Sequence, residues 1–166
     1  AAAQPRVQEL VAQESYQAAI NVLADLRRRY GRVIAGLARE LEAREAEIAT
    51  QARQRFAVLK AQGEAERAGG RWKEALRAVE PARAFGLSDI IAEFAAFCAG
   101  VREGAFTAAR TKAEGLRAAE RLPEAIAAYR SALEYADDAR TIVQTNVEIE
   151  TIKSAVREEV RRAVRA

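Results

Sequence analysis

Apolar residues recur at steps of three and four positions along nearly the whole chain, and this spacing predicts amphipathic helices. Breaks that contain glycine or proline interrupt the stripes and divide the chain into about six helices. We predict an all-α fold with a continuous fourth helix, which Gly100 and Gly104 could kink or split. The predicted helices span residues 5–30, 32–68, 71–84, 89–119 and 123–135, and a last helix runs through the C-terminal stripe.

The chain also repeats itself. Residues 56–86 align without a gap on residues 106–136, an offset of fifty. The identical pairs are Phe56 and Phe106, Glu64 and Glu114, Arg67 and Arg117, Ala68 and Ala118, Arg71 and Arg121, Glu74 and Glu124, Ala75 and Ala125, Ala78 and Ala128, and Ala82 and Ala132. Such self-similarity predicts one domain, 1–166, with repeat-like units at about 5–31, 32–87 and 88–137 and a C-terminal helix at 138–166.

Each unit carries small residues where two helices would cross, then a turn, then a large residue that opens the second helix. The first copy has Gly63, Gly70, Trp72, Glu74, Ala75 and Ala82, and the second has Ala113, Leu122, Glu124, Ala125, Tyr129 and Ala132. A third, weaker copy has Tyr16, Ala19, Leu23 and Tyr30. This pattern resembles the tetratricopeptide repeat (TPR), which implies antiparallel helical hairpins stacked as a solenoid.

The copies depart from that family in two respects. They are spaced by 50 and about 56 residues, whereas the tetratricopeptide period is 34. The second copy also has Glu120 where the first has a glycine at the turn. The hairpins could therefore form a TPR-like α-solenoid or a closed bundle, and the sequence leaves both arrangements open.

If the hairpins stack as the resemblance implies, the first helix of each unit lines a surface that holds a peptide or a partner helix. Lys60, Glu64 and Arg67 share one helix face. Arg110, Glu114 and Arg117 repeat it fifty residues later. We expect these six residues to contact a protein or peptide partner, although an exposed face held by intrahelical ion pairs is the simpler interpretation. The asparagines of the family's carboxylate clamp are absent.

Two other functions remain open. The apolar stripe through residues 33–59 could form an intermolecular coiled coil, so self-assembly into a homo-oligomer through the long helix is the alternative. Arginine clusters at 27–32 and 157–166 make nucleic-acid binding a third hypothesis. We rank nucleic acid last among the partners, because solvated helix ends explain the clusters more simply.

Composition argues against an enzyme. The chain has no histidine, one cysteine, no glycine-rich phosphate loop and no metal-ligand spacing, so we expect neither catalysis nor a metal or cofactor. Cys98 lies in an apolar setting that favours packing. We expect no membrane span. The chain starts with alanine, which fits a processed or a trimmed N-terminus. The sequence leaves the location open between cytoplasmic and, for a processed N-terminus, periplasmic or secreted.

Overall fold

The computed structural model describes residues 3–165, and helices dominate this part of the chain. The helices are α1 (Ala3–Ala12), α2 (Tyr16–Tyr30), α3 (Leu37–Ala68), α4 (Trp72–Val79), α5 (Ser88–Ala118), α6 (Leu122–Leu133) and α7 (Ala139–Arg165), with a 3₁₀ helix at Glu80–Ala84. No strand occurs within residues 3–165, which confirms the all-α class. Ala1, Ala2 and Ala166 of the predicted 1–166 domain lie outside the described residues.

Three helix boundaries differ from the prediction. The predicted helix 5–30 is wrong, because the chain breaks at residues 13–15, where Glu14 has φ 55°. The second predicted helix begins at Leu37 and not at 32, because Gly36 has φ 82° and the preceding turn is not helical. Val33 therefore leaves the predicted stripe and is 80% exposed. The third predicted helix changes to a 3₁₀ helix at Glu80, next to Pro81.

The chain forms two compact units, Ala1–Cys98 and Ala99–Ala166. The boundary falls inside α5, which runs from Ser88 to Ala118 and is not split at Gly100 or Gly104. It also falls inside the predicted repeat-like unit 88–137. Each unit has a hydrophobic core of its own.

In the first unit, α1 packs on α2, α2 on α3 and α3 on α4. Tyr16 meets Phe85 edge to face, with ring centroids 4.9 Å apart, and the Gln17 N–H donates to the Phe85 carbonyl at 3.0 Å. These contacts hold the start of α2 against the chain that leads into α5. The core of the unit comprises Val7, Leu10, Tyr16, Ala19, Leu23, Ile48, Ala52, Phe56, Leu59, Ala82, Phe85, Leu87 and Ile90.

The second unit contains the end of α5, together with α6 and α7. α6 packs on α7. Its small core is built from alanine, isoleucine and one tyrosine: Ala113, Ala125, Ala128, Tyr129, Ile149 and Ile152. Small side chains allow close helix approach, since the side chains at a contact set the distance between helix axes.

Candidate functional site

A tight turn joins α4 to α3, the helix that carries the predicted site residues Lys60, Glu64 and Arg67. Gly70 has φ 71°, the left-handed conformation that glycine adopts without steric penalty. The Arg71 N–H donates to the Glu66 carbonyl at 2.9 Å, and the Gly70 N–H donates to the Arg67 carbonyl at 3.0 Å. This pair of hydrogen bonds is the Schellman motif, which satisfies carbonyls at the end of a helix.

The other two predicted copies contain the same backbone turn. After α5, Glu120 has φ 58° and the Arg121 N–H donates to the Leu116 carbonyl at 2.9 Å. After α1, Glu14 has φ 55° and the Ser15 N–H donates to the Leu10 carbonyl at 2.9 Å. All three turns therefore share one hydrogen-bond pattern, although glycine occupies only one of the left-handed positions.

A fully buried alanine follows each turn. Ala19, Ala75 and Ala125 each have 0% exposure and occupy corresponding positions in α2, α4 and α6. On the preceding helix of the later two pairs, Gly63 is buried and Ala113 is 0% exposed. A larger side chain at these positions would push the paired helices apart.

In the first unit, ion pairs link α3 to the start of α5. Arg53 donates to Asp89 at 2.7 Å, and Lys60 donates to Glu93 at 3.3 Å. The hydrogen bond from Arg53 lowers the pKa of Asp89. Because residue numbers rise together along both helices, this part of α5 runs in the same direction as α3.

A cleft of ≈ 380 Å³ lies between these two helix faces. Lys60 and Glu64 both line it, and Glu64 is exposed. Arg67 lies one turn further along α3 and is also exposed. Within residues 3–165, neither Glu64 nor Arg67 forms a side-chain ion pair. The Lys60 ammonium thus contacts α5, whereas the Arg67 guanidinium remains available to a ligand.

In the second unit, the corresponding residue Arg110 forms two ion pairs. Arg110 contacts Glu114 at 3.0 Å and Glu148, on α7, at 2.9 Å. Burial raises the pKa of Tyr129, the charges of Glu148 and Glu114 raise it further, and the positive charge of Arg117 opposes them. Arg110 therefore links α5 to α7 in this unit, whereas Arg117 is exposed.

The partners of these cations were missed from the sequence. Asp89, Glu93, Asp137 and Glu148 pair with basic residues that precede them by 36, 33, 35 and 38 positions. A recurring opposite charge at a separation of 33 to 38 residues was the available signal. This signal can be interpreted only when the first helix of a hairpin is known to lie beside the helix that follows the hairpin, as α3 lies beside α5.

The arginine clusters differ in their surroundings. Arg27, the first residue of the 27–32 cluster, contacts Glu42 at 2.6 Å and Glu45 at 3.5 Å, and both glutamates lie on α3. At the C-terminal end, residues 157–165 are exposed, and Arg162 contacts Glu158 at 3.6 Å.

The described residues contain no group of three or more acidic or cysteine side chains placed to hold a metal ion. No helix in the described part of the chain combines the length and the apolar character that crossing a membrane requires. Cys98 is half-buried. In comparisons with known proteins, no family model, curated protein or solved structure matches the chain.

Proposed function

We propose that the chain is a TPR-like helical-repeat protein that acts as a non-catalytic binding module for a peptide or helix of a partner protein. The observation that carries the proposal is the shared turn: three turns have the same left-handed residue position and the same backbone hydrogen bond across it. Each precedes a fully buried alanine. Repeated helical pairs of this kind present consecutive helix faces to a ligand.

The helix directions within each unit support the same proposal. In the first unit α3 and α5 run in one direction, as the ion pairs at Arg53 and Lys60 indicate. In the second unit Arg102 contacts Asp137 at 3.3 Å and Arg110 contacts Glu148, so α5 and α7 also run in one direction. Alternation of a helix, a returning helix and a parallel third helix is the arrangement expected of helix–turn–helix repeats.

The proposal assigns a ligand-binding surface to each unit separately. In the first unit it comprises Lys60, Glu64 and Arg67, and in the second Arg110, Glu114 and Arg117. Arg67 is the cation best placed to contact a ligand carboxylate, because it is exposed and has no acidic partner within residues 3–165. A charge-assisted hydrogen bond to such a carboxylate is stronger than a neutral one.

The proposal is tested with peptides selected from a random display library on the purified chain. A selected peptide is labelled, and its affinity is measured by fluorescence anisotropy for the unsubstituted chain and for Arg67→Glu. We expect at least a roughly tenfold weaker affinity, since a lost charge-assisted hydrogen bond is worth about 1.5–3 kcal/mol. Light scattering should give the same mass for both proteins.

Arg83→Glu is the matched control, because Arg83 is 77% exposed and lies outside the proposed surface. In the second unit, Arg117→Glu is the test variant and Arg162→Glu is its control, because the Arg162 side chain is 83% exposed. Equal loss of affinity in the variant and its control, or no loss in either, would contradict binding at this surface.

Self-assembly is a second candidate function, and α7 favours it. Most of the long-helix stripe is buried in the first unit, including Ile48 and Phe56. On α7, by contrast, the face that is buried at Ile149 and Ile152 continues through Val156 to Val160, where it is 55% exposed. An uncovered extension of a core-forming face is a site for a second copy of the chain.

A further inference from the structure

The turn between α2 and α3 combines positive charge with exposed apolar side chains. Between Asp25 and Glu40 the chain has five arginines and no acidic residue. Residues 28–34, termed here the 28–34 tip, include three of these arginines and the sequence Tyr30, Gly31, Arg32, Val33 and Ile34. Three cations thus lie within seven residues, beside the consecutive apolar residues Val33 and Ile34.

The apolar side chains of the tip face solvent. Val33 is 80% exposed, Ile34 is 52% exposed and Tyr30 is 48% exposed. They form one contiguous stretch of the chain rather than scattered single residues. Contiguous exposed apolar residues beside charges mark a surface that binds another molecule or a membrane.

Part of the backbone of the tip is already hydrogen-bonded. The Tyr30 carbonyl accepts from the N–H groups of Val33 and Ile34, both at 3.0 Å, and the Gly31 N–H donates to the Arg27 carbonyl at 2.9 Å. The Leu37 N–H donates to the Ile34 carbonyl at 3.3 Å. Transfer of this turn to a less polar environment therefore leaves these amides paired, which lowers the penalty for desolvating the loop.

The positive charge of the tip is only partly compensated. Arg28 and Arg29 share a single carboxylate, that of Asp25, and Arg29 lies 2.8 Å from it. Arg32 is exposed and has no acidic partner within residues 3–165. A net excess of guanidinium groups thus surrounds the exposed valine and isoleucine.

We propose that the 28–34 tip docks on an anionic lipid surface. Its arginines lie beside the phosphate and carboxylate headgroups, and Val33 and Ile34 enter the boundary between headgroups and acyl chains. Both parts of the tip are then used: cations near an anionic leaflet and shallow apolar insertion each contribute to binding of peripheral proteins. Nucleic acid would use the arginines but would leave Val33 and Ile34 in water, so the apolar pair favours lipid.

The test is co-sedimentation of the full chain with vesicles of phosphatidylcholine containing about 30% phosphatidylserine, and with vesicles of phosphatidylcholine alone. We expect binding only to the anionic vesicles. Arg28→Gln with Arg32→Gln should weaken it about 25-fold, because each cation near such a surface is worth about fivefold. Val33→Ser with Ile34→Ser should weaken it at least about tenfold through lost apolar burial.

Matched controls carry the same chemical changes elsewhere. Arg161→Gln with Arg162→Gln removes two exposed arginines, and Val143→Ser with Val147→Ser removes two valines that are 62% and 60% exposed. Both controls should bind anionic vesicles like the unsubstituted chain. Circular dichroism of every variant establishes that helix content is unchanged. A variant that has lost helix content is replaced by the single substitution Val33→Ser or Arg32→Gln.

Insertion has its own readout. Trp72 is the single tryptophan of the chain. Tyr30→Trp in a Trp72→Phe background therefore places the only indole at the tip. We expect a blue shift of its emission on addition of anionic vesicles, and quenching by brominated acyl chains. Emission that stays unshifted with vesicles present at saturation would overturn the insertion.

Three results would overturn the proposal as a whole. The first is no sedimentation with anionic vesicles at low salt. The second is equal weakening by the tip and control arginine pairs, which indicates attraction by net charge alone. The third is tight binding to a short single-stranded DNA that the tip arginine pair abolishes and the Val33 and Ile34 pair leaves unchanged, without vesicle binding. That result assigns the tip to nucleic acid.

Discussion

Gly63, on α3, lies in close contact with both α4 and α5. A Cβ atom at this position would lie 2.7 Å from Phe97 Cζ and 3.1 Å from the Ala75 carbonyl oxygen. Phe97 is only 7% exposed, so its ring has little room to move. Gly115, in α5, is also helical, but a Cβ atom there would meet nothing within 4 Å. The two glycines thus separate the effect of packing from that of helix propensity.

Alanine should affect the free energy of unfolding differently at the two positions. We expect Gly115→Ala to raise the free energy of unfolding by about 1 kcal/mol through helix propensity alone. Gly63→Ala gains the same propensity but loses about 1–3 kcal/mol to overpacking, and should be the less stable variant by that amount. Urea denaturation measures both. Equal stability of the two variants would show that the contact with Phe97 is not tight.

At the scale of the element, α7 begins with a side-chain cap. Asp138 Oδ1 accepts a hydrogen bond from the Thr141 N–H at 2.8 Å. Hydrogen bonds from Thr141 lower the pKa of Asp138. Because the folded-state pKa lies below the unfolded value, the stabilising effect is complete above the unfolded value. It is lost as pH falls through the folded-state pKa.

Asp138→Ala should therefore lower the thermal midpoint at pH 7, and the difference from the unsubstituted chain should shrink as pH falls below about 4. Asp138→Asn keeps an acceptor at the cap and should change little with pH. Circular dichroism melts at about pH 7 and about pH 3 measure these midpoints. If Asp138→Ala lowers the thermal midpoint as much at about pH 3 as at about pH 7, the ionised Asp138 carboxylate does not stabilise the start of α7.

The exposed face of α7 also carries a prediction about self-assembly. If α7 binds a second copy, Val160→Ser with Val164→Ser should shift the dissociation constant of the oligomer at least about tenfold, because apolar burial drives such contacts. Light scattering across a hundredfold concentration range measures the shift. Leu41→Ser should instead lower stability, since Leu41 packs against the core of the first unit. A monomer at every concentration would exclude assembly.

At the scale of the whole molecule, the helices were largely predictable and the contacts between them were not. The fourth helix was predicted at 89–119 and lies at Ser88–Ala118, because a long apolar stripe and a Ser–Asp start are strong local signals. The break at Glu14 was missed because a left-handed glutamate leaves no glycine in the sequence. Its trace was the wide step in the apolar stripe from Val11 to Ile20.

The candidate surface was predictable only in part for a similar reason. The positions of Lys60, Glu64 and Arg67 on one helix face follow from helical spacing alone. Their partners do not, because Lys60 was expected to pair within its own helix and instead contacts Glu93 on α5. Arg110 contacts both the expected Glu114 and the unexpected Glu148. Long-range ion pairs depend on which helices are neighbours, and local periodicity does not contain that information.

The continuous helix α5 joins the two compact units, and we expect it to couple their unfolding. Ala99 lies at the boundary, is exposed and is helical. Ala99→Pro should remove a helix hydrogen bond at a cost of about 3 kcal/mol without disturbing a buried side chain. Calorimetry should then resolve two transitions where the unsubstituted chain gives one, because each unit keeps its own core but loses the shared helix.

Ala99→Gly is the control for this substitution, since it lowers helix propensity by about 1 kcal/mol but keeps the backbone hydrogen bond. It should shift the single transition to lower temperature without splitting it. If Ala99→Pro also melts in one transition, the cooperative unfolding of the two units does not depend on an unbroken α5. If the unsubstituted chain already melts in two, the units fold independently. Only a split produced by proline and not by glycine makes the unbroken helix the element that carries cooperativity between the units.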